Sequence, residues 1–500
     1  MASALREKLA FRSEKRADTA ETHTPSSGDD ITPQQHAYDA TSASSSDKGR
    51  LDHLDRPAGA DLEADNAFGG QGGESYRTMT RWDTVFILMT NQIGLGFLSL
   101  PGVLRTLGLI PGIIAVVGIG CLSWYTAYEL FQFFRRYPSV INVVDMAKIV
   151  GGRRFEVVIG IGLLVQVMMT SASAAVTLSI ILNTLSRHAV CTVGFIGIGS
   201  IACWLGNLPR TAKFVSKTGL PCVLSAFVAA MIVIISVGIE GPAGAPEDWT
   251  RKIEIIGHPS FRDLVNACLR IAYAYSANIS FVSYMAEMRD PIKDFKYSLA
   301  YKEVITISLF TVVAIIVYCL AGEYTVSPSL GSAPILPAQI AFGIILPAVL
   351  STGLSFGHTG CKYIYVELMK GIGASSQITD NSFKSWGIWT GIVTVYWIVC
   401  FVVSNAIPIF DSILSIASAT TIGWFTFGLS AIFWFYLNWD VKFDGWKKIS
   451  LSAINVGLIL LSLFMNAAGL WASITELMDI FADENSSVSG VFDCGNNALL

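Results

Sequence analysis

The chain has 500 residues, 52% of them hydrophobic and only 14% charged, with a mean hydropathy of +0.53. Soluble chains carry about 25% charged residues, so this is a membrane-protein composition. A net charge of −4 and a pI near 5.9 exclude a nucleic-acid partner, and nine cysteines standing singly, without C-x-x-C or metal-ligand spacing, predict no metal and no cofactor.

Residues 1–80 are polar and lack periodic apolar positions, which predicts a disordered tail. The tail has no apolar signal-peptide core, so no cleavage is expected, and Arg77 and Arg81 before the first apolar run predict that it stays in the cytoplasm. Ser42 to Ser46 offer a place for phosphorylation or for regulatory proteins; a plain solvated tail is the alternative.

The first apolar run, Trp82 to Leu104, is long enough to cross a bilayer, yet Asn91-Gln92-Ile93-Gly94-Leu95-Gly96-Phe97 interrupts its centre, followed by Pro101. A helix break in lipid survives only inside protein or beside a cavity. A broken first span therefore points to a transporter's midplane site, with close helix packing at the glycines as the alternative. Further apolar runs follow at about 108–134, 157–186, 190–208, 215–239, 263–286, 300–321, 335–369, 383–405, 408–437 and 449–476, eleven spans in all. The sixth run places Ser276-Ala277-Asn278 near its centre, a weaker break without Gly or Pro. The third carries a small-residue face, Thr170 to Ala175, suited to packing. In the eighth, Ser351, Thr352 and His358 lie at membrane depth, where hydroxyls either coordinate an ion or cap their own helix.

Loops assigned to the inside hold seventeen Lys or Arg, Lys302 among them, against five outside, a positive-inside bias that leaves the C-terminus extracellular. The acidic tail from 477 to 500 fits that side, as does the glycosylation pattern at Asn485. Cys191 and Cys494 both fall at outer positions, which allows them to pair. Ionisable groups within spans are functional candidates. Glu287 and His358 are candidates for carrying a proton, the alternatives being an inner ion pair with Arg289 or a nearby Lys for Glu287 and a hydrogen-bonded core position for His358. Arg270 lies about six residues outward of the Ser276 break, ~9 Å along a helix, and Asp411 opens the tenth span from the same side. They are expected to pair as an outer gate, or else each faces an aqueous vestibule alone.

With Thr90 to Pro101, Met285 to Pro291 and Ile407-Pro408-Ile409-Phe410 in eleven spans, the chain resembles the amino acid/auxin permease family over about 81–476, and within it the fungal neutral amino acid permeases of the methyltryptophan-resistance type. The resemblance implies an all-α polytopic membrane protein of eleven transmembrane helices with a LeuT-like five-plus-five inverted repeat, helices 1 and 6 broken, plus an eleventh helix. It also implies a secondary active transporter that imports neutral aliphatic and aromatic amino acids across the plasma membrane, driven by H+ or Na+, with membrane lipids as surroundings. By it, the amides about Gly94 and Gly96 hold the substrate carboxylate, Ser276 to Ser280 hold the amino group, and Asn91 and Thr352 stand where some members place sodium. A zwitterion needs donors at one end and acceptors at the other, which a helix N-terminus near Gly96 and the carbonyl end of the outer half of the sixth span supply. Substrate contacts are expected from Asn91, Ile93, Gly94, Leu95, Gly96, Phe97, Tyr273, Tyr275, Ser276, Asn278 and Phe281, and ion coupling from Asn91, Glu287, Ser351, Thr352 and His358. An amino acid sensor without net transport, or a vacuolar or sodium-coupled carrier, is the alternative; no constellation for an enzyme appears.

Overall fold

A computed structural model describes residues 77, 79–94, 96–210, 219–246, 249–373, 382–483 and 490–497, with the side chains of 219 and 220 left aside. The tail to residue 76, Leu95 and the glycosylation pattern at Asn485 lie outside the described residues. Every regular element described is helical, and one isolated parallel bridge joins Met79 to Met288.

The helices follow the apolar runs in order. The first run forms α1 (Arg81–Gln92), a 3-10 turn over Gly96–Ser99 and α2 (Leu100–Leu107). Thr80 and Asp83 open α1 with a reciprocal capping box, and the two halves meet at a 48° bend over the Gly-Leu-Gly stretch. Next come α3 (Leu109–Arg136), α4 (Val143–Ser186), α5 (Thr192–Asn207) and α6 (Gly219–Glu240). The third span starts earlier than its apolar run because Asn142 and Asp145 cap α4, and Gly152, at φ 69°, kinks the added inner turns away from the rest. The sixth run divides into α7 (Phe261–Ala274) and α8 (Asn278–Glu287).

The motif ending in Asp290-Pro291 has a local cause. Asp290 accepts from the Lys293 amide at 3.2 Å, and Pro291 occupies the first turn of α9 (Pro291–Ala321). After it come α10 (Ile335–Gly371), which carries Pro347 internally, and α11 (Phe383–Ala406). The tenth run is α12 (Phe410–Ala417), two π-helical turns over Ser418–Ile422 and Trp424–Gly428, and α13 (Leu429–Asn438). The last is α14 (Gly445–Phe464), a π-turn and α15 (Leu470–Ala482).

Among the described residues eight helical stretches are long and apolar enough to cross a membrane, nine when the bent first pair is taken as one. The shorter α5 and the divided α7–α8 complete the row of eleven runs. The heaviest packing is of α10 against α4 and α6 and of α9 against α3, so the broken first and sixth runs sit within a bundle of long helices.

One reading of the sequence changes here, and the allowed pairing of Cys191 with Cys494 is met. Lys302 is no loop residue; it stands wholly buried on α9, because that helix starts nine residues before its apolar run, and it drops out of the inner-loop count. The C-terminal segment is not a loose end. Cys494 is disulfide-bonded to Cys191 at the start of α5, and Asn183 Nδ2 on α4 donates to Asn497 Oδ1 at 2.7 Å. Asn497 Nδ2 donates to Ser179 Oγ at 2.9 Å, Thr192 Oγ1 to the Gly495 carbonyl at 2.6 Å, and the Phe492 amide to the Asn405 carbonyl on α11 at 3.1 Å. Residues 492–497 thus strap α4, α5 and α11 together at one end.

Candidate functional site

The two breaks touch. A Cβ on Gly96 would stand 2.5 Å from Ala274 Cα and 2.9 Å from its amide nitrogen, so the first break lies directly on the backbone that ends α7. Only a residue without a side chain permits that approach. Gly94 faces α10 instead, where a Cβ would stand 2.9 Å from Thr352 Oγ1. That hydroxyl donates to the Ala348 carbonyl at 3.1 Å, back along its own helix. Ser351 and Ile93 are buried nearby in sequence. Gly94→Ala is expected to lower uptake through about 1–3 kcal/mol of overpacking, and Thr352→Ala, which removes the obstructing hydroxyl, should restore much of it. Equal uptake by the single and double variants would contradict this contact.

At the second break Ser276 is half-buried, whereas the other residues from 271 to 282 are buried. Asn278 is engaged elsewhere. Its Nδ2 donates to Thr126 Oγ1 at 3.0 Å, the Thr426 carbonyl at 3.3 Å and the Ser123 carbonyl at 3.4 Å, and its Oδ1 accepts from Ser123 Oγ at 3.4 Å. An amide so used ties α8 to α3 and the tenth run. The expected aromatic pocket also divides. Tyr273 turns to α4, its hydroxyl 2.6 Å from Ser173 Oγ. Phe97 stacks on Phe310 of α9 at 6.1 Å, Tyr275 lies 5.4 Å from the same ring, and Phe281 packs on Phe295, also of α9. Once the helix unwinds, a 3.6-residue period no longer tells which way the following side chains face.

Of the ion-coupling candidates, Asn91 donates through Nδ2 to the Tyr284 hydroxyl, joining α1 to α8. Glu287 lies within electrostatic reach of Lys362. His358 sits against Trp389 at 5.5 Å, with Nε2 3.2 Å from the Arg210 carbonyl, a hydrogen-bonded core position. Beside the first break, both amide atoms of Gln92, one of the polar pair that marked the break but not among the expected substrate contacts, are buried without a hydrogen-bond partner among the described residues.

Outward of the breaks, Arg270 Nη1 lies 3.0 Å from Asp411 Oδ2, and Arg270 Nη2 donates to Glu476 Oε1 on α15 at 2.8 Å. Asn266 Nδ2 donates to Glu476 Oε2 at 2.7 Å and Ser327 Oγ to Asp411 Oδ1 at 2.6 Å. The cluster lines a cavity of about 280 Å³ together with Arg105, Asp263 and Thr325. Glu476, at the far end of the last apolar run, carried no signal of its own. At the other end of the bundle Arg81 donates to Asp294 Oδ1 through Nε at 3.2 Å and Nη2 at 2.5 Å. There the Met79 amide donates to the Glu287 carbonyl at 3.2 Å and the Arg289 amide to the Met79 carbonyl at 3.1 Å. The start of α1 is thus tied to the end of α8 and the start of α9, while an ion-paired cluster joins α7, α12 and α15 at the opposite end.

Among solved structures the chain is similar to MhsT in complex with L-phenylalanine, at 15% identity and a TM-score of 0.46, covering 81% of this chain and 99% of that one. It is also similar to a Na+-coupled sialic acid symporter in a substrate-bound outward-open state, at 14% and 0.49, covering 84% and 95%. At these scores neither likeness carries an inference. Among relatives, the N amino acid transport system protein of Neurospora crassa is 29% identical over 418 residues, 82% of this chain and 86% of that protein. A transmembrane transporter of Gibberella moniliformis is 26% identical over 436 residues, 85% and 89% respectively. The family described as "Transmembrane amino acid transporter protein" matches residues 77–475, from just before α1 to the middle of α15. The chain is an integral membrane protein that belongs to this transporter family and not to a family of enzymes.

Proposed function

We propose that the protein imports neutral aliphatic and aromatic amino acids across the plasma membrane by proton symport, alternating access being provided by eleven spans in a LeuT-like five-plus-five inverted repeat with an eleventh helix. The observation that carries this reading is the contact of two helix breaks, Gly96 against Ala274, inside the bundle. The 3-10 turn at Gly96 leading into α2 presents N–H groups for a carboxylate, and the C-terminal end of α7 presents carbonyls for an ammonium. Arg270 with Asp411 and Glu476 forms the outer gate, and the Arg81–Asp294 pair with the Met79–Met288 bridge forms the inner one.

Placing residues 492–497 outside accords with the Cys191–Cys494 disulfide, since such bonds persist in oxidising compartments. Residues 1–80 then form a cytoplasmic tail, residues 81–476 the transport domain, and Asn485 an extracellular glycosylation site. A sodium-coupled carrier is a second reading, favoured by Thr352 Oγ1 lying against Gly94. Purified protein in liposomes, given labelled phenylalanine or leucine with sodium and pH varied separately, is expected to accumulate substrate in response to an inward proton gradient. Accumulation under a sodium gradient alone would favour the second reading, and binding without uptake would make the protein a sensor.

A further inference from the structure

Behind the second break lies a charge pair that neither gate uses. Lys302 and Glu303, neighbours on α9, are each 0% exposed, and Lys302 Nζ stands 2.8 Å from Glu303 Oε1. Nζ also lies 4.9 Å above the Phe281 ring of α8. The second carboxylate oxygen, Glu303 Oε2, is buried without a hydrogen-bond partner among the described residues, and so is the hydroxyl of Tyr275, the residue on which α7 ends. A Cβ on Gly120 of α3 would stand 2.9 Å from both the Tyr275 hydroxyl and Ile307 Cγ1, and Ile307 is one helical turn from Glu303 on α9. A buried ion pair adds little to stability compared with apolar residues of the same volume, so a pair kept at this depth calls for another role.

We propose that Lys302, Glu303 and Tyr275 form the coupling element of the transporter, Glu303 being the group that takes up and releases the driving proton. This rests on the transport reading above and gives its coupling ion a residue. In the unloaded state the carboxylate pairs with Lys302. One proton from the outer side converts it to the acid, whose O–H on Oε2 donates to the Tyr275 oxygen, while the ammonium is left over the Phe281 face. Release of that proton to the inner side restores the ion pair, so one proton enters and one leaves. Because Tyr275 ends α7, the hydrogen bond ties the protonation state to the geometry of the break.

Few other titratable groups face Glu303. Cys121 of α3 lies by Tyr275. Tyr284 of α8 accepts from Asn91, Glu287 of α8 lies within electrostatic reach of Lys362, and Cys222 of α6 faces the Pro347 carbonyl. The first span has no ionisable residue between Asp83 and Arg105, and on α9 Tyr297 and Tyr301 are exposed and the Tyr318 hydroxyl contacts Glu254.

Two variants test this in liposomes. Tyr275→Phe removes a hydroxyl that has no partner, so a purely structural role predicts no loss. Lys302→Met with Glu303→Gln removes both charges together and leaves no buried ion unpaired. For one proton per substrate, an inward gradient of about one pH unit sustains about tenfold accumulation. Both variants are expected to lose that accumulation and its pH dependence, while the Lys302→Met Glu303→Gln variant still exchanges labelled for unlabelled phenylalanine. Wild-type accumulation in either variant overturns the assignment, as does loss of exchange along with accumulation in the double variant, or a wild type driven by sodium alone. A wild type that moves no amino acid overturns the transport reading and this one together.

Discussion

Arg270→Gln is expected to abolish concentrative uptake while protein still reaches the membrane. Arg270 is only 9% exposed and is shared between Asp411 at 3.0 Å and Glu476 at 2.8 Å. Removing it leaves two carboxylates together with no cation between them, and taking one partner from a buried pair costs about 3–5 kcal/mol. At 1.4 kcal/mol per factor of ten, that is roughly a hundred- to a few-thousandfold loss of the closed state. Glu476 changes what a charge reversal should do. With Arg270→Asp and Asp411→Arg the new aspartate faces Glu476, so the double variant should recover only part of the uptake, and adding Glu476→Gln should recover more. Uptake rates of the three variants, normalised to surface protein, decide it. Wild-type uptake by Arg270→Gln, or no gain on adding Glu476→Gln, would show that the cluster does not gate.

The Arg270–Asp411 contact was legible because Arg270 is a charge well inside the sixth apolar run, Asp411 stands near the start of the tenth, and the two runs enter from one side. Glu476 was not, because it stands where the last run ends and reads as the start of a polar tail, although α15 continues to Ala482. Lys302 shows the same limit at a helix start: hydropathy marks the apolar run from 300, whereas the Asp290 cap and Pro291 begin α9 nine residues earlier and carry the lysine into the bundle. The first break was legible from two glycines and a polar pair. What those glycines face was not, since Gly94 meets a side chain and Gly96 a backbone, a difference that only tertiary packing determines. Beyond the second break, helical phase is lost over Tyr275 to Ala277, and with it the direction of Tyr275, Asn278 and Phe281. The Cys191–Cys494 disulfide was allowed by the sequence because the positive-inside rule puts both cysteines on one expected side.

Gly96→Val is expected to act on folding as much as on transport. Were the glycine there only to let substrate reach the backbone, a side chain would block binding and leave the folded protein intact. The structure gives it a second duty. A Cβ at 96 would meet Ala274 Cα at 2.5 Å, its nitrogen at 2.9 Å and its Cβ at 3.0 Å. Backbone atoms cannot turn aside as a side chain can, so the two broken spans must separate. Overpacking alone costs about 1–3 kcal/mol and more where backbone is met, and Val adds two methyls to the clash. The yield of monodisperse protein and its melting temperature should therefore fall for Gly96→Ala and further for Gly96→Val. Ala274→Gly should not rescue either variant, because it removes only the Cβ and leaves the Cα and nitrogen in place. Gly94→Ala offers the contrast, since its obstacle is a removable hydroxyl on Thr352. A Gly96→Val protein that purifies and melts as wild type but no longer binds phenylalanine would return Gly96 to a purely substrate-facing role. Rescue of Gly96→Ala by Ala274→Gly would show that the two breaks do not meet backbone to backbone.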